Sequence, residues 1–218
     1  MSKSAIESSR VKETRTELLT IARAALRRGE VIVFPTETLY GLGADALSDT
    51  AVEKVFQLKG RDPNNPISVL IDGRDMLGTL VADIPLIAEA LIARFWPGPL
   101  TIVLAARKDI PRPLLNSNGG IGVRLSSQPI ATQIVKALGH PLTATSANPS
   151  GKAPARTLDE AKQYFSGQID VFVEGGELTS RTGSTVVEIS ADKVKIIRAG
   201  EIGAAQLESA LGAGRISL

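Results

Sequence analysis

Val31-Ile32-Val33-Phe34-Pro35-Thr36-Glu37-Thr38-Leu39-Tyr40-Gly41-Leu42-Gly43 decides the fold class of this chain. Val31 to Phe34 is wholly apolar and mostly β-branched, the pattern of a strand buried on both faces, and Pro35 ends it by lacking an amide donor. Ahead of it, Glu17 to Arg28 reads as an amphipathic helix with Leu18, Ala22 and Ala25 on one stripe, Thr16 as N-cap and Gly29 as the stop. A helix feeding a buried strand that empties into a polar loop is a unit of an α/β domain. In the loop, Gly41 and Gly43 allow positive φ or close backbone approach to a ligand, while Thr36, Thr38 and Tyr40 supply hydroxyls.

The same alternation continues along the chain. Thr50-Ala51-Val52-Glu53 reads as a capping box opening a helix to Leu58, with Val52, Val55 and Phe56 inward and Lys59-Gly60 at its end. Strands are expected at Ile67 to Ile71, Thr101 to Ala105, Ile121 to Leu125, Pro141 to Thr145 and Val171 to Glu174. Helices are expected at Pro85 to Phe95, with proline in the first turn, and at Pro129 to Leu138, closed by Gly139. Thr157-Leu158-Asp159-Glu160 is a second capping box. Thr185 to Ile189 and Val194 to Arg198, joined through Ser190 to Lys193, read as a hairpin, which makes the sheet mixed. No repeat or composition break marks a linker, so the reading is one domain over residues 15–212, with a polar extension at 1–14 and a tail at 213–218.

Composition excludes several kinds of chemistry. Of 218 residues, 43% are hydrophobic and 22% charged, ordinary values for a folded domain. With no cysteine and one histidine, His140, there is no thiolate nucleophile, disulfide or histidine-rich metal centre. Any metal is expected to be a hard ion such as Mg2+ arriving with phosphate. No apolar run approaches the roughly 20 residues of a spanning helix, and Met1 to Thr16 is not a signal peptide, so a soluble cytoplasmic protein is expected. The net charge of +2 is dispersed among acids, and aromatics are only 4%, which gives an RNA-binding or ribosome-assembly role little support.

Open α/β sheets bind ligands in loops beyond their strand ends, and three polar loops here lie so: Thr36 to Gly43, Ser146 to Gly151, and the turn after Arg124. Lys59-Gly60-Arg61 and Ser146-Ala147-Asn148 each place two polar side chains two residues apart beside a turn, a candidate anion site. Taken singly, Lys59 is a cation at a helix C-terminus and Ser146 and Asn148 are turn formers. Arg124 is harder to dismiss, because an arginine ending an apolar strand pairs with a carboxylate or phosphate through its fork of donors; Arg198 follows the same pattern. No Walker phosphate loop or dinucleotide fingerprint is present.

These segments, in this order, resemble the YrdC-like family from about Leu18 to Leu211. The motifs are PTETLYGLG at Pro35 to Gly43, LKGRDPNNPIS at Leu58 to Ser68, WPGPLT at Trp96 to Thr101, GIGVRL at Gly120 to Leu125 and ATSANPSGKAP at Ala144 to Pro154, with GSTVVE and IIRAGEI near the end. The resemblance implies a twisted mixed sheet flanked by helices around a large basic concave cavity. It also implies a nucleotidyltransferase that joins L-threonine, bicarbonate or CO2, and ATP into L-threonylcarbamoyl adenylate and pyrophosphate. A separate tRNA threonylcarbamoyl transferase would use that adenylate on adenosine 37 of ANN-decoding tRNAs. By the same resemblance Lys59, Arg61, Ser146 and Asn148 carry catalysis and hold ATP with Arg198, Gly120 and Pro154. Thr36, Arg124, Ser68, Ala144 and Ser184 hold threonine. The chain resembles the short single-domain form, and Asp62 stands where relatives often have proline, bringing an acid beside the proposed anion-binding cations. A carbamoyl-phosphate-using relative is a third reading, normally part of a larger protein.

Overall fold

The computed structural model describes residues 3–190, 192–212 and 214–217, with side chains from residue 15 onward. Its ten strands form one sheet in the order β10-β9-β8-β4-β5-β3-β6-β2-β1-β7. These are β1 (Ile32–Pro35), β2 (Tyr40–Gly43), β3 (Ser68–Leu70), β4 (Leu100–Ala105), β5 (Gly120–Arg124), β6 (Leu142–Ser146), β7 (Val171–Phe172), β8 (Thr185–Ser190), β9 (Lys193–Arg198) and β10 (Ile216–Ser217). Four pairs are parallel (β1 with β7, β3 with β5, β4 with β8, β9 with β10) and the other five antiparallel, so the mixed α/β reading holds. The helices are α1 (Lys3–Arg27), α2 (Asp49–Lys59), α3 (Arg74–Leu80), α4 (Leu86–Phe95), α5 (Pro129–Leu138), α6 (Leu158–Phe165) and α7 (Ala204–Leu211).

Side chains alternate between the two faces of each strand, and the two faces have different fates. On one face Val33, Leu42, Val69, Ile102, Val123 and Val187 join Val55, Leu91, Phe165 and Leu207 from α2, α4, α6 and α7 in the larger core. On the other face Ile32, Phe34, Leu70 and Leu142 pack under Ala22, Leu26, Ile134 and Leu138 of α1 and α5. Further along, that second face carries Ser68, Thr101, Gly122 and Ala144, and there the side chains line cavities instead of a helix interface.

Several local expectations change. The segment after Pro35 folds straight back, Phe34 pairing with Gly41 and Ile32 with Gly43, so the stretch read as loop contains β2. Gly41 and Gly43 are not among the glycines with positive φ. Their smallness serves the Phe34 ring, which a Cβ on Gly43 would meet at 2.8 Å and one on Gly41 at 3.2 Å. Thr16 is not an N-cap, because α1 begins at Lys3 and Thr20 donates to the Thr16 carbonyl within it. The cap of α2 is Ser48 rather than Thr50, its hydroxyl accepting from the Ala51 amide. Pro85 sits at the N-cap of α4, not inside its first turn. The Thr157–Glu160 capping box is present as read, and Gly60 ends α2 in the left-handed conformation at φ 56°. Helices α3 and α7 and strand β10 were not anticipated; β10 sets Ile216 beside Val194.

Phe34 is fully buried, so its ring has nowhere to go when a methyl is added beneath it. Gly43→Ala is therefore expected to destabilise the fold by about 1–3 kcal/mol, as overpacking of a filled core does, and urea unfolding followed by circular dichroism measures it.

Candidate active site

The turn joining β1 to β2, the C-terminal ends of β5 and β6, the start of β8 and the end of β9 converge on a cavity of about 270 Å³. Of the residues singled out in the sequence, Thr36, Arg61, Ser68, Arg124, Ala144, Ser146, Pro154, Ser184 and Arg198 line it. A second hollow of about 370 Å³ adjoins it through Arg61, Pro66, Ile67, Ser68 and Arg198, and Gly120 lies there instead. The ends of the three loops thus meet at one cavity, and three guanidiniums line it.

Each guanidinium is held by neighbouring protein oxygens. Arg61 donates from Nε to the Asn65 carbonyl (2.7 Å) and from Nη2 to that of Pro66 (3.1 Å). Arg198 donates from Nη2 to the Ser184 carbonyl and hydroxyl, both at 2.9 Å. Arg124 donates from Nε to the Gly98 carbonyl (3.3 Å) and from Nη2 to the Thr38 hydroxyl (3.2 Å), and pairs with Glu37 Oε2 at 2.8 Å. Burial lowers the pKa of Arg198, and the like charges of Arg124 and Arg61 lower it further; burial does the same to Arg61. Those shifts mark crowded, partly desolvated positive charge, an arrangement that an anion relieves.

Lys59 and Asn148 do not line either hollow. The Lys59 ammonium is buried and donates to the carbonyls of Ser146 (2.6 Å) and Asn148 (2.7 Å) and to Asn148 Oδ1 (3.4 Å). Burial, then the charge of Arg61, pushes it down to about 7, while the three oxygens favour the charged form, which alone supplies three donors. Asn148 donates its amide to the carbonyls of Pro149 and Lys152. Both side chains therefore shape the loop that presents Ser146. Thr36 lines the cavity, but its hydroxyl closes its own turn, donating to the Leu39 carbonyl at 2.7 Å and accepting from the amides of Thr38 and Leu39. Asp62 is exposed and caps a local turn by accepting from Asn64, so it is not paired with Arg61.

Two participants escaped the sequence reading. Glu37 lies inside the quoted motif, one residue past Thr36, and its Oε2 accepts from both Arg124 and the Ser126 hydroxyl, while Oε1 is buried without a hydrogen-bond partner. Thr101 lines the cavity from β4; a lone hydroxyl in an otherwise apolar strand was the signal available. Burial pushes the Glu37 carboxyl up, but Arg124 and Ser126 outweigh it and hold the group below its ordinary value of 4.5. A carboxyl depressed in the folded state stabilises the fold above its unfolded pKa, and that contribution fades as pH falls through the folded one. Glu37→Gln is expected to lower stability at pH 7 by up to roughly 3 kcal/mol, with Arg124 left buried beside a neutral group, and to lose less than the wild type below pH 4.5. Denaturant midpoints between pH 3 and 7, on the order of the range over which the linkage acts, check both signs.

Among the described residues no three histidine or acidic side chains cluster as a metal site, and no helix is long and apolar enough to cross a membrane. Residues 24–200 match the model of the Sua5/YciO/YrdC family, whose description is telomere recombination. A threonylcarbamoyl-AMP synthase of Pyrococcus abyssi is 36% identical over 90% of this chain and 58% of its own length. One from Bacillus subtilis is 36% identical over 88% of this chain and 56% of its own. The chain thus spans little more than half the length of these relatives. The crystal structure of P. abyssi Sua5 complexed with L-threonine superimposes with a TM-score of 0.87 at 36% identity, over 91% of this chain and 58% of that one. On the family match together with these identities, the chain belongs to the Sua5/YciO/YrdC family.

Proposed function

We propose that this protein is an enzyme that makes L-threonylcarbamoyl adenylate and pyrophosphate from L-threonine, bicarbonate or CO2, and ATP. The observation that carries the reading is the convergence of Arg61, Arg124 and Arg198 on one cavity whose other polar groups are hydroxyls. Three anionic groups must meet in this reaction: the amino-acid carboxylate, the new carbamate and the triphosphate. The names and threonine-bound structure of the relatives support the same substrate.

The chemistry follows from that inventory. The threonine amine adds to the carbon of CO2, releasing a proton, or to that of bicarbonate, releasing water, to give a carbamate. One carbamate oxygen then attacks the α-phosphorus, and the bond to the bridging oxygen breaks, its electron pair leaving on pyrophosphate. No covalent nucleophile is required, so rate acceleration rests on positioning and on fixed positive charge. Arg124, oriented by Glu37, Thr38 and Gly98, takes the threonine carboxylate. Arg61 and Arg198 face the phosphates, with Ser146 presented by the Lys59 clamp. Thr36, Ser68, Ala144 and Ser184 shape the amino-acid end, while Gly120 and Pro154 border the nucleotide. Magnesium enters as part of the MgATP substrate, held by phosphate and water. The adenylate, a reactive mixed anhydride, then passes to a tRNA threonylcarbamoyl transferase acting on adenosine 37.

Pyrophosphate release from ATP should require both threonine and bicarbonate. Arg61→Ala and Arg198→Ala are expected to raise KM for ATP roughly 10- to 100-fold, the worth of a charge-assisted hydrogen bond, and Arg124→Ala to raise KM for threonine by a similar factor. A coupled pyrophosphate assay reads all three, and release that continues undiminished without threonine sinks the assignment.

A further inference from the structure

Thr101 in β4 and Ser184 just ahead of the parallel neighbour β8 both line the cavity, and their hydroxyl oxygens lie 3.0 Å apart. Both residues are buried, at 2% and 5% exposure. Arg198 Nη2 donates to Ser184 Oγ, which uses one of that oxygen's acceptor positions. The bond between the two hydroxyls consumes one of their two protons, whichever residue donates it. The remaining O–H has no acceptor among the described residues, although a buried hydroxyl normally finds one. The pair therefore presents one proton to whatever occupies the cavity, carried by Thr101 when Ser184 donates to it and by Ser184 when Thr101 is the donor.

The location identifies the ligand atom. The antiparallel register that sets Ile102 opposite Val123 places Thr101 next to Arg124 on the same face of the sheet. An amino acid whose carboxylate is held by Arg124 thus extends its side chain past the hydroxyl pair. Resting on the functional reading above, we infer that Thr101, acting with Ser184, is a specificity-determining residue that donates a hydrogen bond to the side-chain hydroxyl of the amino-acid substrate. A site with a buried donor waiting for an oxygen rejects analogues that lack it, because the donor would then go unpaired.

Calorimetric titration with L-threonine and with L-2-aminobutyrate, which keeps the carboxylate and methyl group but has no hydroxyl, tests this on wild type, Thr101→Val and Thr101→Ser. Thr101→Val, nearly the same shape without the hydroxyl, should weaken threonine binding roughly three- to tenfold and leave 2-aminobutyrate unchanged, closing the gap between the two ligands. Thr101→Ser should restore the preference, which also separates the effect from any loss of folding in the valine variant. The inference is overturned if Thr101→Val binds threonine as the wild type does, or if both ligands weaken together while the serine variant behaves the same way. A wild type that binds no threonine at all overturns the functional reading itself.

Discussion

A change of side-chain size along one face of the sheet governs everything else in this molecule. Where Phe34, Leu70 and Leu142 stand on that face, two helices must cover them, since burying large apolar groups is what drives the layers together. Where Ser68, Gly122 and Ala144 replace them, no helix is needed and a hollow remains. β3 and β6 pair without a break in register, so the same two strands serve both regions, each carrying a bulky residue at one end and a small one at the other. Cavity and core are two ends of the same strands.

Placing guanidiniums over such a hollow is costly, because each loses water and repels the others. The fold offsets this with oxygens it already has. Main-chain carbonyls of Asn65, Pro66, Gly98 and Ser184 accept from the three arginines, and only Arg124 has a carboxylate partner. Neutral dipoles orient the cations without cancelling their charge, so the site keeps its attraction for anions. Glu37 is the exception, and its single ion pair offsets the positive charge at Arg124.

Much of this was legible in the sequence. The apolar runs located most strands, the Thr157–Glu160 box opened α6, and the long motifs identified the arginines that line one cavity. What failed did so for physical reasons. Gly41 and Gly43 looked like loop residues because glycine is usually read through its backbone freedom, whereas here it accommodates a ring from the adjacent strand. Thr16 resembled a cap because local hydrogen-bonding patterns do not reveal that a helix continues through them. The contacts of Lys59 were not legible, since only the tertiary structure brings three oxygens from a distant loop to its ammonium. Glu37 and Thr101 went unremarked because their importance lies in partners 89 and 83 residues away.

The Lys59 clamp reaches beyond the loop it holds. Its ammonium grips the carbonyls of Ser146 and Asn148 while its own carbonyl accepts from the Ser150 amide at 2.7 Å, so side chain and main chain bracket the loop from two directions. Arg61 follows only two residues later, across the turn at Gly60. The end of α2 and the segment after β6, far apart in the chain, are thereby joined like two halves of a hinge pinned shut. Any displacement that reaches one is carried to the other, so the Arg61 guanidinium and the Ser146 hydroxyl keep their spacing even if the cavity around them widens or narrows.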